Sequence, residues 1–303
     1  KQFSGADSPL TRWSEEYDLA RDELNALIVP ANEWLPIIFA FAMILMVWSL
    51  LAAVLIWLSH RVRMRFGLTE ELPQHPSALD MLRFALRKLG PWLIALVMTV
   101  YMSYALPSSL GKSLAMVLAY ALVVGTCFSA ICVIAFSVLD GPHRHRALYI
   151  LRHQAFRPLW LIGSFAAFGE ALSDLRLVES LGTHLAHTAA TIANVLAALS
   201  TGLFILRFRR PIAHLIRNQP LSRRLTRRAL SDTIDILGTF WYIPALVLVG
   251  ISLFATFVSA GDTSTALRQS LICTVLLVLC MVINGLVRRH SLKPQRSAKR
   301  HAL

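Results

Sequence analysis

The chain has 303 residues, 56% of them hydrophobic and only 16% charged, with a mean hydropathy of +0.58. A soluble domain carries about 25% charged residues, so the composition excludes that class, and with it a disordered tail, a disulfide scaffold and an acidic binding module. The 30 Lys and Arg against 17 Asp and Glu, a net charge of +13, leave two readings: nucleic-acid binding, or a membrane protein with its basic residues sorted to one face.

The opening segment, residues 1–34, is acidic. Asp7, Glu15, Glu16, Asp18, Asp22, Glu23 and Glu33 outnumber Lys1, Arg12 and Arg21. Asp7-Ser8-Pro9 marks a helix start, and Trp13, Tyr17, Leu24 and Leu27 form an apolar stripe. The chain begins at Lys1 with neither an initiator Met nor a signal-peptide pattern; the expectation is a processed chain, or part of a longer one.

From residue 35 onwards the sequence is dominated by apolar runs. A helix needs about 20 mostly apolar residues to cross about 30 Å of hydrocarbon. Seven segments meet or approach that length: Leu35–Leu58, Pro91–Leu106, Leu114–Leu139, Phe156–Leu172, Thr188–Leu206, Leu237–Val258 and Leu271–Val287. The repeated ten-residue alternation of a membrane barrel is absent. The fold class expected is all-α, a polytopic helical membrane protein of about seven transmembrane helices.

The spans sort the charge. Of the 30 Lys and Arg, 24 follow spans one, three, five and seven, and six lie on the opposite side with the N-terminal segment. By the positive-inside rule the N-terminus is then outside and the C-terminus inside, which in a bacterial inner membrane means periplasmic and cytoplasmic. The surplus charge reports orientation, and no nucleic-acid partner is expected.

The inner segments also resemble one another. LRFALRKLGPWLIAL (Leu82–Leu96), YILRHQAFRPLWLIG (Tyr149–Gly163) and SRRLTRRALSDTIDILGTFWYIP (Ser222–Pro244) each join a basic amphipathic run to Gly or Pro near a Trp and then to a span. Trp92, Trp160 and Trp241 hold equivalent places, 68 and 81 residues apart, a spacing that points to repeated units. Basic inner loops with interfacial Trp are also common to polytopic proteins in general. The repeat divides the chain into an acidic segment (1–34), a first helix (35–66), three hairpin units (67–140, 141–206 and 207–287) and a basic tail (288–303). Trp92, Trp160 and Trp241, with Arg87, Arg157, Arg209 and Arg210, are the candidate membrane-interface and lipid contacts.

Few polar residues lie within the spans. Glu170 is a functional candidate because an ionisable group in the bilayer costs about 2.5–3.5 kcal/mol, although its place near the outer end of its span suits an interfacial residue. Asn194, amid Ala190, Ala193, Ala197 and Thr201, and Asn284 read as helix-packing groups. Pro244 predicts a kink. Cys127, Cys132, Cys273 and Cys280 lack metal or redox spacing, and His143 and His145 stand in a solvated basic loop. No P-loop, GxGxxG, HExxH or GxSxG occurs. Neither an enzymatic role nor a cofactor is expected.

The run VLAALSTGLFILRFRRPIAHLIRN, followed by a basic helix and TIDILGTFWYIPALVLVGISLFATFVSAG, resembles the accessory N-terminal transmembrane region of large multi-span MscS-like mechanosensitive channels, among them the YbiO-like and MscK-like paralogs. In that family a span ends in an Arg-rich loop and a Trp-containing hairpin follows. Arg207, Arg209, Arg210, Trp241 and Tyr242 hold those places here. The resemblance runs from about Leu35 to Arg289. It implies a bacterial inner-membrane homo-oligomer, a heptamer, opened by tension to release ions and small solutes on hypo-osmotic shock, with a periplasmic domain ahead of Lys1. The family's Gly/Ala pore helix and cytoplasmic vestibule do not occur in this sequence. On the family reading the chain is therefore a sensor region, and no pore-lining residue carries over. A polytopic transporter subunit, or a scaffold that binds lipid or a partner protein, is the alternative.

Overall fold

In the computed structural model, the residues described are 9–28, 34–66, 78–105, 109–138, 145–217 and 239–258. They are helical almost throughout, with no strand among them. The helices are α1 (Pro9–Ile28), α2 (Trp34–Phe66), α3 (Ala78–Ser103), α4 (Leu110–Val138), α5 (His145–Gln154), α6 (Phe156–Leu172), α7 (Leu175–Leu181), α8 (Thr183–Arg217) and α9 (Tyr242–Val258).

Four helices among the described residues are long and apolar enough to cross a membrane, over Leu35–Val62, Leu79–Ser103, Leu110–Ser137 and Thr183–Leu215. They correspond to the first, second, third and fifth expected spans. Three of them overrun those spans at their basic ends. No Gly or Pro interrupts the chain between Arg61 and Phe66, so α2 continues past its apolar stretch, with the Arg61 guanidinium 4.6 Å from the centre of the Trp57 ring. The expected fourth and sixth spans, α6 and α9, have 17 residues each, roughly 25 Å of helix at 1.5 Å per residue, which is short of the hydrocarbon thickness. The seventh span, with Asn284, Cys273 and Cys280, lies outside the described residues.

Two prolines explain where α6 and α9 begin. A proline removes the donor to the carbonyl four residues back and crowds it. Pro158 acts so on Gln154, and the helix breaks at Ala155, between α5 and α6. Pro244 acts so on Phe240, and a turn falls at Trp241. The kink expected at Pro244 thus stands three residues ahead of it, and the proline occupies the first turn of α9, where its missing N–H is not needed. α3 continues unbroken across Pro91.

The core is the α4–α6–α8 layer. Gly125 of α4 and Gly163 of α6 meet where these helices cross. A Cβ on Gly125 would lie 2.7 Å from the Trp160 carbonyl oxygen, and one on Gly163 would lie 2.9 Å from the Gly125 Cα. Glycine is required there because the main chains touch. On the far side of α6, a Cβ on Gly169 would lie 3.1 Å from both the Ala190 carbonyl oxygen and the Asn194 Cγ, and closer still to the Asn194 Oδ1. Ala190, Ala193, Asn194 and Ala197 are buried, as a small-residue packing face requires. The amphipathic α5 closes one end of this layer. Its Leu148 and Leu151 pack with Cys132 of α4 and Phe208 and Leu215 of α8, while Tyr149 and His153 face outwards.

α2 and α3 lean on α4 through a second cluster of Trp48, Ala52, Ala95, Ala119 and Val123. α2 touches α4 closely at its first turn, where a Cβ on Gly111 would lie 3.0 Å from the Ile37 carbonyl carbon. Most of the remaining surface of this pair is apolar and exposed, including Phe39, Met46, Trp57, Leu86, Val97 and Tyr101.

Candidate functional site

The sequence motifs on α3 and α6 converge in space. A cavity of about 290 Å³ opens between α2, α3, α4 and α6. The second half of α2 contributes Ile56 and Ser59, and one face of α3 contributes Phe84, Arg87, Lys88, Pro91 and Trp92. Thr126 of α4 stands at the back, and the first turns of α6 contribute Phe156, Arg157 and Trp160. Arg87, Lys88 and Trp92 fall together because i, i+1 and i+5 on a helix sweep one broad face, which also carries Phe84 at i−3.

Several contacts fix the walls. The Trp160 indole donates to the Leu122 carbonyl at 3.3 Å, and the Thr126 hydroxyl donates to the same oxygen at 2.8 Å. The first anchors the α6 side of the cavity on α4, and the second lies within α4. On the opposite wall, the rings of Trp92 and Trp48 are 5.4 Å apart and inclined at 44°, within the range of favourable tilted aromatic pairs. Arg87 donates from Nε to the Arg83 carbonyl at 3.1 Å. The Lys88 ammonium lies 5.7 Å from the centre of the Phe156 ring, linking α3 to α6 by a cation–π contact. Arg87 and Lys88 are half-buried, whereas Arg157 is exposed. Among the described residues the lining thus holds three cations and two indoles and no acidic side chain. It offers charge-assisted hydrogen bonds to an anion beside a wall that suits hydrocarbon.

The third motif lies elsewhere. Trp241 donates from its indole to the Arg209 carbonyl of α8 at 3.2 Å, and the Arg209 guanidinium lies 6.0 Å from the centre of the Tyr242 ring. Arg209 and Arg210 are exposed on α8. This contact attaches the start of α9 to α8 and forms no part of the cavity. Glu170 is exposed two residues from the end of α6, and Asn194 is buried against Gly169. Among the described residues, no group of three His, Cys, Asp or Glu side chains could hold a metal ion.

Sequence reasoning missed Trp48, Lys88 and Phe156. Lys88 and Phe156 each adjoin an Arg that it selected, so the basic-aromatic pattern contained them. Trp48 sits mid-span with nothing local to mark it. Also missed was a junction at the other end of the bundle. Gly182, at φ +100°, precedes α8 and has no side chain to cap that helix. The Glu23 carboxylate of α1 takes over that role, accepting the Leu185 N–H at 2.8 Å, and His187 Nε2 stands 4.0 Å from Glu16. An anionic cap there satisfies an orphan donor and complements the helix dipole. Comparison of the chain with protein-family models, with curated proteins and with solved structures finds no match to any of them.

Proposed function

We propose that this chain is the membrane-tension-sensing transmembrane region of an MscS-like mechanosensitive channel that releases ions and small solutes on hypo-osmotic shock. It would lie in a bacterial inner membrane with the cavity end facing the cytoplasm, as part of a homo-oligomer whose family number is seven. Bilayer lipid would be its principal partner.

The observation that carries the reading is unequal packing. Only 17% of the apolar stretch of α2, and the same share of α3, is buried, against 50% for α4. Tension acts on the lipid-facing boundary, and hydrophobic mismatch costs fractions of a kcal/mol per Å of thickness change. A helix pair with most of its surface in lipid collects that energy; one enclosed by protein does not. α2 is close to α4 at Ile37 and borders the cavity at Ile56, roughly 28 Å further along its axis. Rotation about the first contact changes the width of the cavity and the lipid-exposed area together, the differential interaction that a shift in population requires. The Arg-rich end of α8, which leads to Trp241 in the segment resembling the family, supports the same reading.

Patch-clamp recording tests it on the full-length protein in giant liposomes. Conductance that opens below lytic tension is the expected result; patches that stay silent up to lysis contradict the reading.

A further inference from the structure

We infer that the cavity between α3 and α6 is a discrete binding site for the headgroup of one anionic phospholipid. Its phosphate would be held by Arg87, Lys88 and Arg157, and its glycerol and acyl chains would pass Trp92 and Trp160. The inference rests on the proposed membrane orientation of the chain and does not require that tension opens a pore.

Three features select this ligand class. First is charge: the cations come from two helices, and among the described residues no acidic side chain lines the cavity. Basic pockets between transmembrane helices on the cytoplasmic side are suited to acidic lipid headgroups. Second is size. At about 290 Å³ the space sits at the lower limit of small-ligand pockets, about 300–1,000 Å³. It has room for a phosphate with its glycerol but not for two acyl chains, which must leave the site. Third is the wall. Ile56, Phe84, Trp92 and Trp160 are apolar over most of their surface, and the faces of α2 and α3 beyond them are exposed and hydrophobic, as at Trp57 and Leu86. A free phosphate would use the cations and waste that wall, whereas a lipid uses both. The indoles suit the depth at which headgroup meets hydrocarbon. An occupant here spaces α3 from α6, the junction otherwise bridged by the Lys88–Phe156 contact.

Native mass spectrometry of the detergent-solubilised full-length protein, titrated with phosphatidylglycerol or phosphatidylcholine, tests the assignment. One phosphatidylglycerol retained per chain is expected, with phosphatidylcholine held at least about tenfold more weakly. The R87Q/K88Q/R157Q variant should lose that retention about tenfold or more. R209Q/R210Q, which removes exposed charge outside the cavity, should keep it. Thermal unfolding of both variants establishes that they are folded. If the triple variant does not fold, W92A/W160A takes its place with the same expected loss. Inorganic phosphate and glycerol 3-phosphate at millimolar concentration should leave the bound lipid in place. Displacement by either, equal loss in R209Q/R210Q, or equal retention of phosphatidylcholine each overturns the assignment. Silent patches with lipid retained would overturn tension sensing alone; gating without retained lipid would overturn the site alone.

Discussion

α4, α6 and α8 form one kind of helical assembly, and α2 and α3 another. In the first, main chains touch: Gly125 meets Gly163, and Gly169 meets Ala190 and Asn194. In the second, main chains touch at one place, Gly111 of α4 against Ile37 of α2; beyond it alanines and aromatic rings lean on α4 from outside, and a cavity opens at the end where the basic side chains gather. Close main-chain contact has little slack, because any separation forfeits many short dispersion contacts at once. A pair held by main-chain contact at one point, and elsewhere by side chains such as Trp48, Trp92 and Leu55, tolerates rotation about that point. The difference divides the bundle into a part built to keep its shape and a part that, on the proposed reading, follows the bilayer.

Substitutions can break that comparison at either end. The largest effect is expected at Leu151, fully buried where α5 seals the core. Leu151→Ala should lower unfolding stability in detergent by about 2–5 kcal/mol. Gly125→Ala comes next: the added methyl meets the α6 backbone, and overpacking costs about 1–3 kcal/mol. Glu23→Gln keeps the shape of the cap but removes its charge. A loss of roughly 0.5–1 kcal/mol is expected, read as faster amide exchange in the first turn of α8. The smallest effect sharpens the contrast, since Gly90→Ala in α3 places its methyl where nothing lies within 4 Å. That change should be neutral or stabilise by up to about 1 kcal/mol, the ordinary gain for alanine inside a helix. Loss of stability in Gly90→Ala equal to that in Gly125→Ala would erase the distinction between the two regions.

Much of this arrangement is legible in the amino-acid sequence, and the rest is not, for physical reasons. Hydropathy locates α2, α4 and α8 because burial in lipid acts on each segment separately. It also bounds α6 at Phe156–Leu172, the same 17 residues, whereas the break at Ala155 that separates it from α5 depends on Pro158 crowding one carbonyl. The Trp spacing marks Trp92 and Trp160 as equivalent without revealing that they line one cavity, and it suggests the same place for Trp241, which instead caps an α8 carbonyl. The facing of α3 and α6 follows from where both cross α4, and crossing points such as Gly125–Gly163 leave no periodic trace. The same holds for Glu23, which meets the Leu185 N–H across 162 positions of sequence. Its acidity was visible; its partner was not.

The most direct test of a mobile pair on a fixed core is a pair of distances measured by spin labelling in a cysteine-free background. Labels at Leu86 of α3 and Leu161 of α6 span the cavity; labels at Leu161 and Leu199 of α8 span the core, and all three positions are exposed. Lysolipid added to the bilayer should shift the α3–α6 distance distribution and leave the α6–α8 distribution unchanged. Two distributions that shift alike, or an α3–α6 distance that does not respond, would contradict the account.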